Sequence, residues 1–186
     1  MMVKLTINES GVLEKAELAD EAGTVITDSV RGTGDREFCD YSLLTEAVIP
    51  DGVTSIGDGA FAGCDWLFGV TIPDSVTHIG NKAFYDCYSL TEIIIPKSVT
   101  SIGNEAFVDC NNLESVTILG KITGIGDRAF AWCESLAEIT VPDSVTHIGD
   151  RAFYGCGKDL VIRTPTGSFA GHYAMENGIK VAEFFT

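Results

Sequence analysis

The sequence predicts a β-rich α/β solenoid, about six 23-residue repeats stacked on a parallel sheet and closed by terminal caps. Three observations predict it. Phenylalanine recurs at Phe38, Phe61, Phe84, Phe107, Phe130 and Phe153, each 23 residues after the last. Three other series keep the same step: glycine from Gly34 through Gly57, Gly80, Gly103 and Gly126 to Gly149, an apolar series Val30, Val53, Val76, Val99, Ile122 and Val145, and cysteine at Cys64, Cys87, Cys110, Cys133 and Cys156. Within each unit the apolar residues alternate as on a strand with one buried face.

One unit, Ser89 to Cys110, reads SLTEIIIPKSVTSIGNEAFVDC. Leu90, Ile93 and Ile95 set an inward-facing strand, and Pro96, lacking an amide donor, ends it. Val99 and Ile102 form a second short apolar stretch. Gly103 permits a sharp turn. Ala106, Phe107 and Cys110 are spaced as one inward-facing helical or 3₁₀ turn. So short a unit cannot bury its apolar face alone, and stacking supplies the core. Like residues then lie about 4.8 Å apart.

The unit L-x-x-I-x-I-P-x-S-V-x-x-I-G-x-x-A-F-x-x-C resembles the BspA-type (Treponema pallidum type) leucine-rich repeat, over about residues 24–165. The resemblance implies a curved, right-handed leucine-rich-repeat solenoid with a parallel sheet along one face. It also implies adhesion and protein binding, in a family of mostly surface or secreted proteins. It carries no common catalytic residues.

The ends depart from the pattern. In SVRGTGDREF, Ser29 to Phe38, Thr33 replaces the buried isoleucine, and Tyr41 takes the cysteine position. Residues 1–23 hold apolar stretches Val3 to Ile7 and Val12 to Leu18 around the turn signal Asn8 to Gly11, which predicts an N-terminal strand pair over the open edge. Residues 166–186 predict a C-terminal cap: Ser168 starts a short helix, Gly178 ends it, and Ile179 to Phe185 form a last strand. The whole is one domain, 1–186. In the fourth unit Leu119 stands where proline stands elsewhere, which reads as drift or as a local change of shape.

Acid outweighs base, 27 residues to 12, for a formal net charge of -15. Such a surface repels phosphate backbones, which argues against direct nucleic-acid binding and suits a basic protein partner. The same charge also serves solubility. No run reaches the ~18 apolar residues of a membrane span. MMVKLTINES has no charged leader followed by an apolar core, so the chain as written is expected in the cytoplasm; removal of a leader would make it a cell-surface or secreted protein.

Chemistry-bearing residues are sparse. The cysteine ladder occupies an apolar slot, with no C-x-x-C pair and no Cys–His cluster, and reads as core. Cys39 falls off the ladder as a candidate exposed thiol, the residue on which an enzymatic reading would rest. His78 and His147 lie three units apart, about 14 Å, too far to share a metal. Neither cofactor nor metal is expected, nor is the chain expected to be an enzyme. Asn8–Glu9–Ser10 is a glycosylation tripeptide of low specificity.

The candidate binding surface is the outward side of the strands. One column there is Glu46, Gly69, Glu92, Ser115 and Glu138. The next is Val48, Thr71, Ile94, Thr117 and Thr140, and the third Thr45, Phe68, Thr91, Glu114 and Ala137. Phe68 and Ile94 are the candidate anchors, with Glu46, Glu92, Glu114 and Glu138 around them. Trp66 and Trp132, at the turns beside the strands, are second candidates. An ordinary solvated sheet is the competing reading of this face. Two functions follow: a non-enzymatic protein-binding module of adhesion or host-interaction type, or an acidic intracellular inhibitor of a basic, nucleic-acid-handling protein.

Overall fold

The computed structural model describes the backbone of residues 3–7, 12–18, 24–25 and 32–33, and residues 36, 38–40 and 44–184 with their side chains. The turn Asn8–Gly11, the tripeptide within it, and Val30, Gly34 and Tyr41 lie outside the described residues.

In chain order the elements are β1 (Val3–Ile7), β2 (Val12–Leu18), β3 (Thr24–Val25), β4 (Gly32–Thr33), β5 (Glu46–Val48), β6 (Ser55–Ile56), β7 (Gly69–Thr71), β8 (His78–Ile79), β9 (Glu92–Ile95), β10 (Ser101–Ile102), β11 (Ser115–Ile118), β12 (Gly124–Ile125), β13 (Glu138–Thr140), β14 (His147–Ile148), β15 (Val161–Pro165), α1 (Phe169–Glu176) and β16 (Lys180–Phe184). From β5 to β14 each coil contributes one strand of three or four residues and one of two residues, and the first coil contributes the two-residue β3 and β4. The first strand of each coil pairs in parallel as β3-β5-β7 and, separately, β9-β11-β13-β15, with β16 added at the end. The short strands build a second sheet, β2-β4-β6-β8-β10-β12-β14, with β1 antiparallel on β2. Pairing is in phase with the repeat: Ser115 faces Glu92 and Glu138, and Ile102 faces Ile79 and Ile125. This is a parallel-sheet solenoid with little helix.

In place of a continuous helical turn the segment makes separate i→i+3 bonds, Val108 to Glu105 at 3.3 Å and Cys110 to Phe107 at 3.5 Å, and a third inter-coil ladder. Glu105, Phe107 and Asp109 donate their amides to Asp127, Ala129 and Ala131 of the next coil at 2.8, 2.7 and 3.0 Å. Glu105 and Asp109 have φ of 56° and 59°, and residues in that left-handed region cannot propagate an α or 3₁₀ turn. The inward set is as expected, with Ala106, Phe107 and Cys110 fully buried.

The phenylalanines form a continuous stack through the core. Successive rings from Phe38 to Phe153 lie 4.9, 5.2, 5.2, 5.1 and 5.6 Å apart and within 8° of parallel. The coil rise imposes that spacing, since each ring sits at the same place in its unit. Tyr173 of α1 closes the stack edge-on over Phe153, at 6.1 Å and 62°. Ser168 caps α1 by accepting the Gly171 amide at 3.1 Å. Gly178, at φ 69°, follows the helix.

The glycine ladder has a different cause from a turn. Gly103 does not have a left-handed φ. A Cβ there would stand 2.5 Å from the Gly80 carbonyl carbon of the preceding coil, so glycine is needed for close stacking. Beside it runs a side-chain ladder: Asp58, Asn81, Asn104 and Asp127 each accept the amide 23 residues on, at 2.7–2.9 Å. The recurrence of Asp or Asn at this step is its signal in the sequence.

The cysteines are core. Cys64, Cys87, Cys110 and Cys133 are buried, Cys156 is half-buried, and all are free thiols. Each donates to a phenylalanine carbonyl 26 residues earlier, at 3.0–3.1 Å. Burial pushes the Cys87 and Cys133 thiols well up and Cys156 to about 12.

Candidate functional site

The outward positions of β5, β7, β9, β11 and β13 form one face, and alternation along each strand puts them there. Glu46, Val48, Phe68, Glu92, Ile94 and Glu114 are exposed, while Glu138 and Thr140 are half-buried. Val48, Phe68 and Ile94 are 43, 46 and 54 % exposed, three apolar side chains on an otherwise polar strand face. Trp66, 57 % exposed, meets the Phe68 ring edge-on at 6.5 Å.

The carboxylates differ in their partners. Glu138 pairs with Arg163 of β15 at 3.4 Å. Among the described residues Glu46, Glu92 and Glu114 have no ion-pair partner. Glu46 and Glu92 border a cleft of about 430 Å³ lined also by Val48, Gly69, Val70, Thr71, Ile72 and Ile94. Both carboxylates remain exposed, so the cleft does not desolvate them.

Trp132 lies elsewhere. It stands on the turn ladder at φ 63°, in a separate cleft of about 310 Å³ with Tyr85, Tyr154, Arg128, Arg151, Glu105 and Asp109. Its ring meets Tyr154 edge-on at 5.1 Å, and the Arg151 guanidinium lies 5.7 Å from the Tyr154 ring. The two tryptophans therefore do not share a surface: the turn segment bearing Trp132 packs on Gly155 of the next coil, where a Cβ would collide with the indole. The basic row Arg36, Lys82, Arg128 and Arg151 on this ladder is missed when only the strand columns are read. Its signal is the same 23-residue phase, interrupted by Gly59 and Glu105.

Cys39 does not have an activated thiol's surroundings. It is half-buried, and burial, then the Asp40 carboxylate, raise its pKa. His78 shares a hydrogen bond with Ser101 at 3.2 Å on the second sheet. No group of three or more His, Cys, Asp or Glu among the described residues is placed to hold a metal. Burial, then neighbouring carboxylates, raise the pKa of Asp86 and Asp109 from the ordinary aspartate value. No helix among the described residues is long and apolar enough to cross a membrane.

Comparison with known proteins agrees with this architecture. The description "BspA type Leucine rich repeat region" matches residues 33–158 in six copies. A solved Treponema pallidum leucine-rich-repeat protein superposes with a TM-score of 0.68 at 21% identity, over 99% of this chain and 97% of that one. The pneumococcal vaccine antigen PcpA superposes at 0.71 with 20% identity, over 90% of this chain and 42% of that one. A leucine-rich-repeat protein from Bacteroides capillosus gives 0.51 at 29% identity, over 63% of this chain and 94% of its own. The chain thus spans less than half of the pneumococcal protein's length. No curated protein matches it. Six in-phase repeats, three interlocking ladders and the matched region place the chain in the BspA-type leucine-rich-repeat family.

Proposed function

We propose that this chain is a non-enzymatic protein-binding module that uses the N-terminal half of its strand face, in an adhesion or host-contact role. Leucine-rich-repeat proteins generally serve as binding scaffolds without catalysis, and solenoids bind through broad lateral surfaces. The single observation that carries the site is the exposure of Val48, Phe68 and Ile94 on the same strand face as Glu46, Glu92 and Glu114, which have no ion-pair partner among the described residues. Apolar anchors within a charged rim are the usual anatomy of an interface. The partner surface is basic, complementary to those acids and to the net charge of -15.

Capture of the partner on the immobilised 186-residue chain tests this. Phe68→Ala and Ile94→Asp should each reduce capture about tenfold or more without changing the melting temperature. Equal capture by both variants would place the interface elsewhere.

The net charge also favours a second reading, an acidic inhibitor that occupies the phosphate channel of a basic, nucleic-acid-handling protein. Affinity would then collapse between low and high salt, whereas an anchor-driven interface would retain most of its strength.

A further inference from the structure

The notch at Gly69 distinguishes one place on the strand face from all others. Its position in the column belongs to Glu46, Glu92, Ser115 and Glu138 in the other coils. A Cβ built on Gly69 meets nothing within 4 Å, so the space above it is empty.

The sheet also opens there. β7 ends one sheet and β9 begins the next. The Thr91 amide reaches the Phe68 carbonyl at 3.5 Å, where the coil above and the coil below make the same bond at 2.9 and 2.8 Å. The opening exposes what is elsewhere sealed. Val70 is half-buried, whereas Ala47, Ile93, Val116 and Ile139 at the same step are 2 % exposed or less. The notch therefore has an apolar floor at Val70 and Ile72, apolar lips at Val48 and Ile94, and a carboxylate on either side at Glu46 and Glu92.

That combination suits one kind of side chain. A long alkyl stem lies along the floor and lips, and a cationic head reaches the flanking carboxylates and solvent. An acidic side chain meets like charge, and a purely aliphatic one leaves both acids unmatched. The hole, more than the acid, selects the place: Glu114 carries the same charge but does not line the cleft.

We propose that the Gly69 notch receives a single lysine or arginine side chain from an extended segment of the protein partner. This rests on the strand-face reading of function and adds the register at which the partner is read.

The test is an amide chemical-shift titration of the full chain with a blocked pentapeptide, lysine at its centre between threonine and valine residues. Two control peptides carry norleucine or glutamate at the centre. Lysine peptide should shift residues 46–48, 69–72 and 92–94, norleucine should bind at least tenfold more weakly, and glutamate should not bind. Gly69→Val, which fills the notch and leaves both acids in place, should weaken the lysine peptide at least tenfold. Glu46→Gln with Glu92→Gln should bring lysine and norleucine peptides to equal affinity. A melting curve for each variant checks its fold.

If the lysine peptide shifts the strand face equally in wild type and Gly69→Val, the notch assignment is overturned and the binding face stands. If lysine and norleucine bind alike in wild type, the basic occupant is overturned. If no strand-face residue shifts, the notch is overturned, and partner capture by Phe68→Ala separately decides the face.

Discussion

The two halves of the strand face are built from one repeat yet present different surfaces. From Ser115 to Arg163 the strands form part of one continuous sheet, β9-β11-β13-β15-β16. There Thr117 and Thr140 are half-buried, and Glu138 is paired with Arg163. From Glu46 to Ile94 the sheet is interrupted, Val48, Phe68 and Ile94 stand exposed on the strand face, and Glu46 and Glu92 have no ion-pair partner among the described residues. The core beneath is the same in both halves, with Phe84 and Phe130 each fully buried. A repeat core thus tolerates local changes of surface, because each coil touches only its neighbours.

The largest effects should ignore the difference. Phe84→Ala and Phe130→Ala should each cost about 3–5 kcal/mol in urea denaturation, one from either half. A clearly unequal pair would break the claim of a common core.

Alkaline pH tests the cysteine ladder in the same way. The folded state holds Cys156 protonated up to about 12, while the unfolded thiol ionises near 9.0. Stability from this group is therefore full below the unfolded value and is lost as pH rises toward the folded one. Near pH 10.5 that loss is about 2 kcal/mol, and Cys156→Ala should remove it. A urea midpoint independent of pH up to that point would contradict a buried ladder.

Glycines sharpen the contrast. Gly103→Ala forces a Cβ against the Gly80 backbone and should cost about 1–3 kcal/mol. Gly69→Ala meets open space and should stabilise by about 0.5–1 kcal/mol, because a strand glycine forfeits more chain entropy. Thermal melts of the two variants should move in opposite directions.

The smallest effect lies in the carboxylates. Glu138→Gln breaks an exposed ion pair and should cost about 0.2–1 kcal/mol, whereas Glu92→Gln should cost nothing measurable. Equal losses would mean that the halves do not differ in pairing.

Much of the core is legible in residue order alone. Phe38 to Phe153 and Cys64 to Cys156 name the buried ladders, since only a stacked coil needs the same residue at one step. The outward columns follow from strand alternation, and Phe68 and Ile94 stand out there as apolar residues in polar company. The turn expected at Ala106 to Cys110 forms as separate i→i+3 closures, Val108 to Glu105 and Cys110 to Phe107, and not as a continuous helical turn, because inward spacing alone does not report φ; left-handed Glu105 and Asp109 turn their amides toward the next coil. Trp66 and Trp132 look alike in sequence because each flanks the ladder cysteine of its unit, Cys64 or Cys133. Only the three-ladder cross-section separates them.

What the sequence by itself determined is the period, the identity of the buried ladders and the sign of the surface charge, all set by residue type and spacing. Tertiary structure alone decided that Gly103 is demanded by the backbone of the coil before it, that Gly69 opens a hole rather than a turn, and that Glu138 is matched while Glu92 is not. The physical reason is common to all three: each depends on what a residue 23 to 25 positions away presents across a coil boundary, at distances that the chain order does not contain.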